Sequence, residues 1–171
     1  MTTSAILVNY AAVLALSLFA VALVSDLATM TIGNNLIVAL LALYLLAAPF
    51  SVYRWDQIAF TLGASFCVLA AGLIVFARGW VGGGDVKLAA AAVLWVGAEQ
   101  TLDYFVHASI FGGLLTLVLL AFRRMPLPPQ ALRAAWIARL HAAGGKVPYG
   151  VALAIAAAFL MPTTRWFSSP T

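Results

Sequence analysis

The sequence predicts an all-α, polytopic integral membrane protein, a bundle of about six transmembrane helices with one short amphipathic helix. Hydrophobic residues make up 65% of the 171 residues, charged residues make up only 8%, and the apolar residues fall into separate long runs. An average soluble domain has about 25% charged residues, and one membrane span needs about 20 apolar residues. We therefore expect residues 1–171 to form a single membrane-embedded domain, with no separate soluble domain.

The apolar runs, and the polar or Gly/Pro-containing breaks between them, predict six helices. These helices cover about 5–25, 34–49, 57–77, 85–98, 102–122 and 148–162. No positively charged segment precedes the first run, so we interpret it as a retained helix and not as a cleaved signal peptide. The single cysteine, Cys67, lies in an apolar run, which favours a buried or lipid-facing role.

The polar stretch between Arg123 and Pro148 predicts a further short helix. Its start and stop signals are Pro126, Pro128 and Pro129, and Gly144 and Gly145. Its predicted apolar side consists of Leu132, Trp136, Ile137 and Leu140. Because Arg133 and Arg139 can reach water from the other side, this pattern is typical of an amphipathic helix on a membrane surface.

The positive charges predict the orientation, since cytoplasmic loops carry an excess of Lys and Arg. Most of them lie in or beside the first, third and fifth loops, which share one side of the membrane: Arg78, Lys87, Arg123, Arg124, Arg133, Arg139 and Lys146. Only Arg54 and Arg165 fall on the other side. We therefore expect both termini to face away from the cytoplasm, and we attribute the net charge of +4 to contact with anionic lipid and not with nucleic acid.

Two of the five carboxylates border the predicted cytoplasmic loops. These are Asp26 and Asp85, whereas Asp56, Glu99 and Asp103 lie at the opposite face, where acidic residues ordinarily cap helices. A carboxylate in or at the edge of a membrane is costly unless it faces a cavity or a partner, so such a residue indicates a functional site. Asp26 and Asp85 are therefore the candidate functional pair.

Asp85 follows the glycines Gly82, Gly83 and Gly84 and precedes a short apolar run, Val86–Val96. Three glycines remove side-chain bulk and open backbone conformations that are closed to other residues, so another backbone can approach the carboxylate. The segment also brings Asp85 to a helix amino terminus. The structural alternative is that the glycines form a turn and Asp85 only caps the helix.

Asp26 follows the first apolar run and precedes Gly33, which breaks the chain, and Asn34, which can cap the second helix. Alone, Asp26 is also compatible with a helix-end residue among the headgroups. Together, two aspartates in one site share one proton, so the ionised member can activate a water while the protonated member polarises a peptide carbonyl. His107 and His141 are isolated and no HExxH motif occurs, so we expect no metal site.

These residues resemble the motifs of the type IV prepilin peptidases. Asp26 followed by Ile32 and Asn34 resembles the first signature of that family, and Gly82 to Leu88 resembles the GxGD motif of intramembrane aspartyl proteases. The segment 147–150, Val-Pro-Tyr-Gly, resembles a further element at the start of the last helix. The resemblance covers the chain from the first to the sixth predicted helix.

The resemblance implies an aspartic-type endopeptidase of the bacterial inner membrane that needs no cofactor. The implied catalytic residues are Asp26 and Asp85, and the implied substrate-positioning residues are Gly82, Gly83, Gly84, Lys87 and Asn34. Lys87 is equally compatible with screening of the pair or with an interfacial lysine that snorkels. The implied substrate is a prepilin or pseudopilin whose leader is cut at the cytoplasmic face.

The chain lacks the cysteine-containing insertion of the bifunctional members, so it resembles the short CpaA- and TadV-like members that serve Flp-type pili, without methyltransferase activity. Gly33 stands where the family usually has proline, and the stretch Leu27–Thr31 lacks the basic residues common there. The implied partners are the substrate and membrane lipid, and a homo-oligomer is left open.

Two alternatives from other classes stay open. A small ion- or proton-coupled transporter would use the same two aspartates, although both lie toward one face and no internal repeat is visible. A structural subunit of a pilus or secretion machine would need no acidic pair.

Overall fold

The computed structural model describes residues 3–128, 130–142 and 145–167, and within these ranges all regular secondary structure is helical. The α-helices are α1 (Thr3–Thr29), α2 (Asn34–Ala47), α3 (Trp55–Ala77), α4 (Gly83–Val96), α5 (Thr101–Arg124), α6 (Ala135–His141) and α7 (Tyr149–Leu160). Short 3-10 turns follow α2 and α7 and precede α5 and α6. The all-α prediction is confirmed, and a helix occupies each of the six predicted positions.

Three of these helical segments are long and apolar enough to cross a membrane by length and composition: Ala5–Thr29, Trp55–Ala77 and Ala98–Arg124. Helices α2, α4 and α7 are shorter, with 14, 14 and 12 residues, whereas a full span needs about 20. The count of about six spans therefore stays a prediction.

Helix α3 exposes most of its apolar surface. Only 6% of its most apolar window is buried, and Phe60, Phe66 and Ile74 all point outward. Contiguous apolar surface of this extent is typical of contact with lipid. Cys67 on the same helix is an exposed free thiol, as expected for a lipid-facing residue.

Helices α4 and α7 form the centre of the bundle. Helix α7 packs against α1, α4 and α5, and α4 also packs against α2 and α3. All residues of α4 from Leu88 to Val96 are buried, including four consecutive alanines, Ala89–Ala92. Small side chains allow close approach of neighbouring helices, which explains how two short helices are enclosed by longer ones.

An aromatic cluster fixes the end of the bundle that lies away from Asp85. The indole nitrogen of Trp95, near the end of α4, donates a hydrogen bond to the Leu40 carbonyl of α2 over 3.2 Å. The Trp95 ring also packs against Trp166, at 5.0 Å between centroids, and against Tyr44, at 5.8 Å. The start of α4, which carries Asp85, is therefore positioned from a rigid far end.

Helix α6 lies within the stretch predicted to hold an amphipathic helix, but it is short and begins at Ala135, after the turn Ala131–Arg133. Leu140 is buried, whereas Leu132 and Trp136 are exposed, so the predicted apolar side does not pack as one surface on the bundle. Its position on a membrane surface stays a prediction. Of the predicted start and stop signals, Pro129 and Gly144 lie outside the described residues.

Candidate active site

Asp26 lies in the last turn of α1, because this helix continues to Thr29 and does not end near residue 25 as predicted. The Thr29 hydroxyl donates a hydrogen bond to the Ser25 carbonyl over 2.8 Å, and the Met30 amide closes the last turn on the Asp26 carbonyl over 2.8 Å. Met30 then adopts a left-handed backbone with φ of 55°, which ends the helix. The Asp26 side chain consequently points into the protein and is only 3% exposed.

Asp85 is the third residue of α4 and lies in its first turn, as predicted. The N-cap is Gly82, with the ordinary extended values φ −70° and ψ 141°. Of the two expected effects of the glycine triplet, the unusual backbone is not used, because among the described glycines only Gly79 and Gly97 have positive φ.

The glycine triplet instead provides space. A Cβ at Gly82 would lie 2.9 Å from Asp85 Oδ2, and one at Gly84 would lie 3.3 Å from Ile32 Cβ. At Gly83 the nearest atom is in the Phe76 ring, also at 3.3 Å. The missing side chains thus allow the Asp85 carboxylate to fold back toward Gly82, and they allow the segment around Ile32 to approach Gly84.

The structure brings Asp26 and Asp85 together. The two carboxylates interact electrostatically, and both lie beside the backbone amide of Gly150 at the start of α7. The Val151 amide donates a hydrogen bond to Asp26 Oδ2 over 3.2 Å. Two carboxylates that interact in this way disfavour ionisation of both groups at once.

Ile32 links the three segments that meet here. Its Cβ lies 3.3 Å from the position that a Cβ would take at Gly84, and its Cδ1 lies 2.6 Å from the position that a Cβ would take at Gly150. The loop after α1, the start of α4 and the start of α7 therefore converge on one site. All three are the segments in which the sequence motifs occur.

Asn34 and Lys87 lie together at the exposed edge of this site. The Lys87 ammonium donates a hydrogen bond to Asn34 Oδ1 over 2.9 Å, which ties the start of α4 to the start of α2. The predicted cap of α2 by Asn34 is wrong, because Gly33 is the N-cap and makes no side-chain bond. The side-chain oxygen of Asn34 instead accepts the hydrogen bond from Lys87. A substrate-positioning role for either residue stays a prediction.

The sequence prediction gave no individual role to several residues of the site. The Val151 amide donates a hydrogen bond to Asp26, the Gly150 amide lies beside both carboxylates, and the exposed Lys146 interacts electrostatically with Asp85. Arg139 of α6 donates a hydrogen bond to the Thr29 carbonyl over 3.2 Å, at the end of the helix that carries Asp26. The helix-start signal at Pro148 could have indicated that first-turn amides near residue 150 are available to a carboxylate.

Two further polar residues, Arg123 and His107, lie around the site without touching the two aspartates. Arg123 of α5 donates hydrogen bonds to the carbonyls of Leu140, over 2.8 Å, and Lys146, over 3.1 Å, and so holds the segment that leads into α7. His107 packs against Phe159 of α7 at 5.0 Å, and its Nδ1 bonds within α5, 2.8 Å from the Asp103 carbonyl. In the ranges described, no group of three or more His, Cys, Asp or Glu side chains is placed to hold a metal ion.

Comparison with known proteins identifies the family. A family model described as the type IV leader peptidase family matches residues 12–117, a range that includes both Asp26 and Asp85. Comparisons with curated proteins and with solved structures give no match. Because the matched range is more than half of the 171 residues and contains both motif aspartates, the chain belongs to the type IV leader peptidase family.

Proposed function

We propose that this protein is an aspartic-type endopeptidase that removes the leader peptide from Flp-type prepilins at the cytoplasmic face of the bacterial inner membrane. Family membership indicates a peptidase. The observation that carries the aspartic assignment is the meeting of Asp26, from α1, and Asp85, from α4, beside one backbone amide at the start of α7.

The proposed chemistry uses one proton shared by the two carboxyl groups. The ionised carboxylate accepts a proton from a water molecule as the water oxygen attacks the scissile carbonyl carbon. The protonated carboxyl group donates to the carbonyl oxygen, so negative charge does not accumulate on the tetrahedral intermediate. When the C–N bond breaks, the proton taken from water passes to the leaving nitrogen, and one hydroxyl of the intermediate returns its proton to the other carboxylate as the new C=O bond forms.

The surroundings of the pair support access by a polypeptide. Asp26 is buried, but Asp85 is only partly buried, and Gly82 beside it is exposed and has no side chain. An extended substrate backbone can therefore approach Asp85 from the side of the glycines. Lys87 and Asn34 at the exposed edge are the proposed positioning residues, since they offer an ammonium and an amide to substrate carbonyl groups.

The predicted orientation supports the substrate class. Asp26 and Asp85 lie at the end of the bundle where Arg123, Arg139 and Lys146 also lie, and such basic residues are typical of the cytoplasmic side. A precursor with a leader in the cytoplasm and a hydrophobic helix in the membrane would present its junction at this level.

The experiment is cleavage of a purified Flp-type prepilin by the protein reconstituted in proteoliposomes, with the cut located by mass spectrometry. We compare the parent with Asp26→Asn and Asp85→Asn, which keep the side-chain shape and remove the acid. Since positioned acid–base groups contribute about 10²- to 10⁴-fold to rate, we expect each variant to lose about that factor while remaining folded.

Asp56→Asn is the matched control, because Asp56 is exposed and pairs only with Arg54, over 3.0 Å, away from the site. Cleavage by the folded Asp26 or Asp85 variants at the parent rate would refute the aspartic mechanism. If the parent does not cleave the prepilin but its proteoliposomes take up protons in an Asp26-dependent way, the ion-coupled alternative is correct.

A further inference from the structure

We propose that the amino terminus of α7 is a third part of the active site, in which Gly150 and the adjoining backbone amides position Asp26 for catalysis. This inference rests on the proposed function. Helix α7 begins at Tyr149, well beyond the residues that the family model matches, so the comparison assigns nothing to it.

The first turn of α7 is capped by a side chain from another helix. The first turn of any helix has backbone amides with no partner inside the helix. Pro148 is the N-cap of α7 and supplies no side-chain hydrogen bond. Asp26 adds an acceptor from another helix, because its Oδ2 accepts the Val151 amide over 3.2 Å, an amide that also reaches the Pro148 carbonyl over 3.2 Å. The Gly150 amide lies beside the same carboxylate.

Gly150 leaves space for the Asp26 carboxylate and the Ile32 side chain. A Cβ at this position would lie 2.7 Å from Asp26 Oδ2 and 3.0 Å from Asp26 Cγ. It would also lie 2.6 Å from Ile32 Cδ1. Gly150 and Asp26 are both buried, so a methyl group at residue 150 requires the Asp26 carboxylate to shift.

Helix α7 is held firmly in the bundle. Helix α7 packs on three sides, against α1, α4 and α5, and its residues Val151–Ala154 are buried. A carboxylate held by the start of such a helix has one position relative to Asp85, which lies beside the same Gly150 amide. Asp26 is thus buried against the start of α7, whereas the Asp85 side chain is partly exposed toward the glycines.

The test is the substitution Gly150→Ala, measured by kcat and KM for cleavage of the prepilin. Because displacement of a catalytic group by about 1 Å costs about 10²-fold in rate, we expect kcat to fall about tenfold or more. We expect KM to change by less than about twofold, since the substitution removes no binding contact made in the ground state. Gly113→Ala is the matched control, because a Cβ there meets nothing within 4 Å.

The double variant Gly150→Ala with Ile32→Val separates the two contacts. Valine lacks the Cδ1 atom, so the double variant relieves the contact with Ile32 and keeps the contact with Asp26 Oδ2. A low kcat in the double variant supports positioning of Asp26, and recovery of the parent kcat overturns it in favour of a packing role for Ile32. If Gly150→Ala does not accumulate in membranes, kcat is measured for the double variant and compared with that of Ile32→Val.

Asp26→Asn is measured in the same assay, so that the two proposals fail in different ways. A parental kcat for Gly150→Ala, together with an inactive Asp26→Asn, overturns the role of Gly150 and leaves the aspartic mechanism intact. Activity in Asp26→Asn overturns the aspartic mechanism itself, and the inference with it.

Discussion

Gly72 of α3 offers a sharp test of the packing that holds Asp85. A Cβ at Gly72 would lie 2.5 Å from Val86 Cγ1 and 3.2 Å from Val86 Cγ2, and Val86 directly follows Asp85. Valine in a helix has one strongly preferred rotamer, so Val86 has little freedom to turn away. The substitution Gly72→Ala must therefore push α3 and α4 apart near the site.

The magnitude follows from two opposing contributions. Alanine in place of glycine inside a helix adds about 1 kcal/mol of stability, whereas forcing extra atoms into a packed interior costs about 1–3 kcal/mol. Gly63→Ala on the same helix meets nothing within 4 Å and contributes only the first term. We therefore expect Gly72→Ala to have a free energy of unfolding about 1–3 kcal/mol below that of Gly63→Ala.

The assay is unfolding in mixed micelles by titration with a denaturing detergent, followed by tryptophan fluorescence. Val86→Ala removes both Cγ atoms, so in that background the two alanine variants should differ by less than about 0.5 kcal/mol. In the protein that keeps Val86, equal stability of Gly72→Ala and Gly63→Ala would refute the close packing of α3 on the start of α4.

Three further predictions concern the edge of the site and the far end of the bundle. Gly33 has φ −67° and ψ 138° with nothing within 4 Å of a Cβ, so Gly33→Pro should raise the unfolding free energy by about 0.4–1 kcal/mol; a lower midpoint of thermal unfolding would contradict this. Lys87→Met and Asn34→Ala each remove the 2.9 Å hydrogen bond between the two side chains, so a double-mutant cycle should give a coupling of about 0.5–1 kcal/mol, reduced by the exposure of both groups; additive effects would show that the bond contributes nothing. Burial raises the pKa of Tyr53 above its ordinary value, so its stabilising contribution is complete below about pH 10 and is lost as the pH rises through the folded-state pKa. The parent should accordingly lose stability above about pH 10 more steeply than Tyr53→Phe, and parallel stability curves would contradict that assignment.

Much of the helical framework could be predicted from the sequence, because the positions of apolar runs depend on composition alone. The end of α1 could not be placed, since Leu27 and Ala28 are good helix formers and the Thr29 hydroxyl supports the last turn through Ser25. The apolar run of α4 could be recognised as short, but apolar composition does not reveal that α2 and α7 end after 14 and 12 residues.

The two catalytic candidates could also be predicted, because intramembrane carboxylates are rare and have few structural explanations. Their surroundings could not, since those depend on contacts between residues far apart in the chain. The bond between Asp26 and Val151 joins residues separated by 125 positions. Similarly, Asn34 was expected to cap its own helix, but the nearby Lys87 ammonium is a stronger donor to its side-chain oxygen.

The short length of α4 has a consequence for the supply of water. At about 1.5 Å per residue, its 14 residues extend about 21 Å, roughly 9 Å less than the hydrocarbon thickness of a bilayer. Peptide hydrolysis consumes one water molecule per bond, and hydrocarbon supplies none. With its far end fixed by the aromatic cluster around Trp95, we expect α4 to stop short of the membrane surface nearest Asp85. This leaves a hydrated recess above Asp85, through which water is replenished between turnovers.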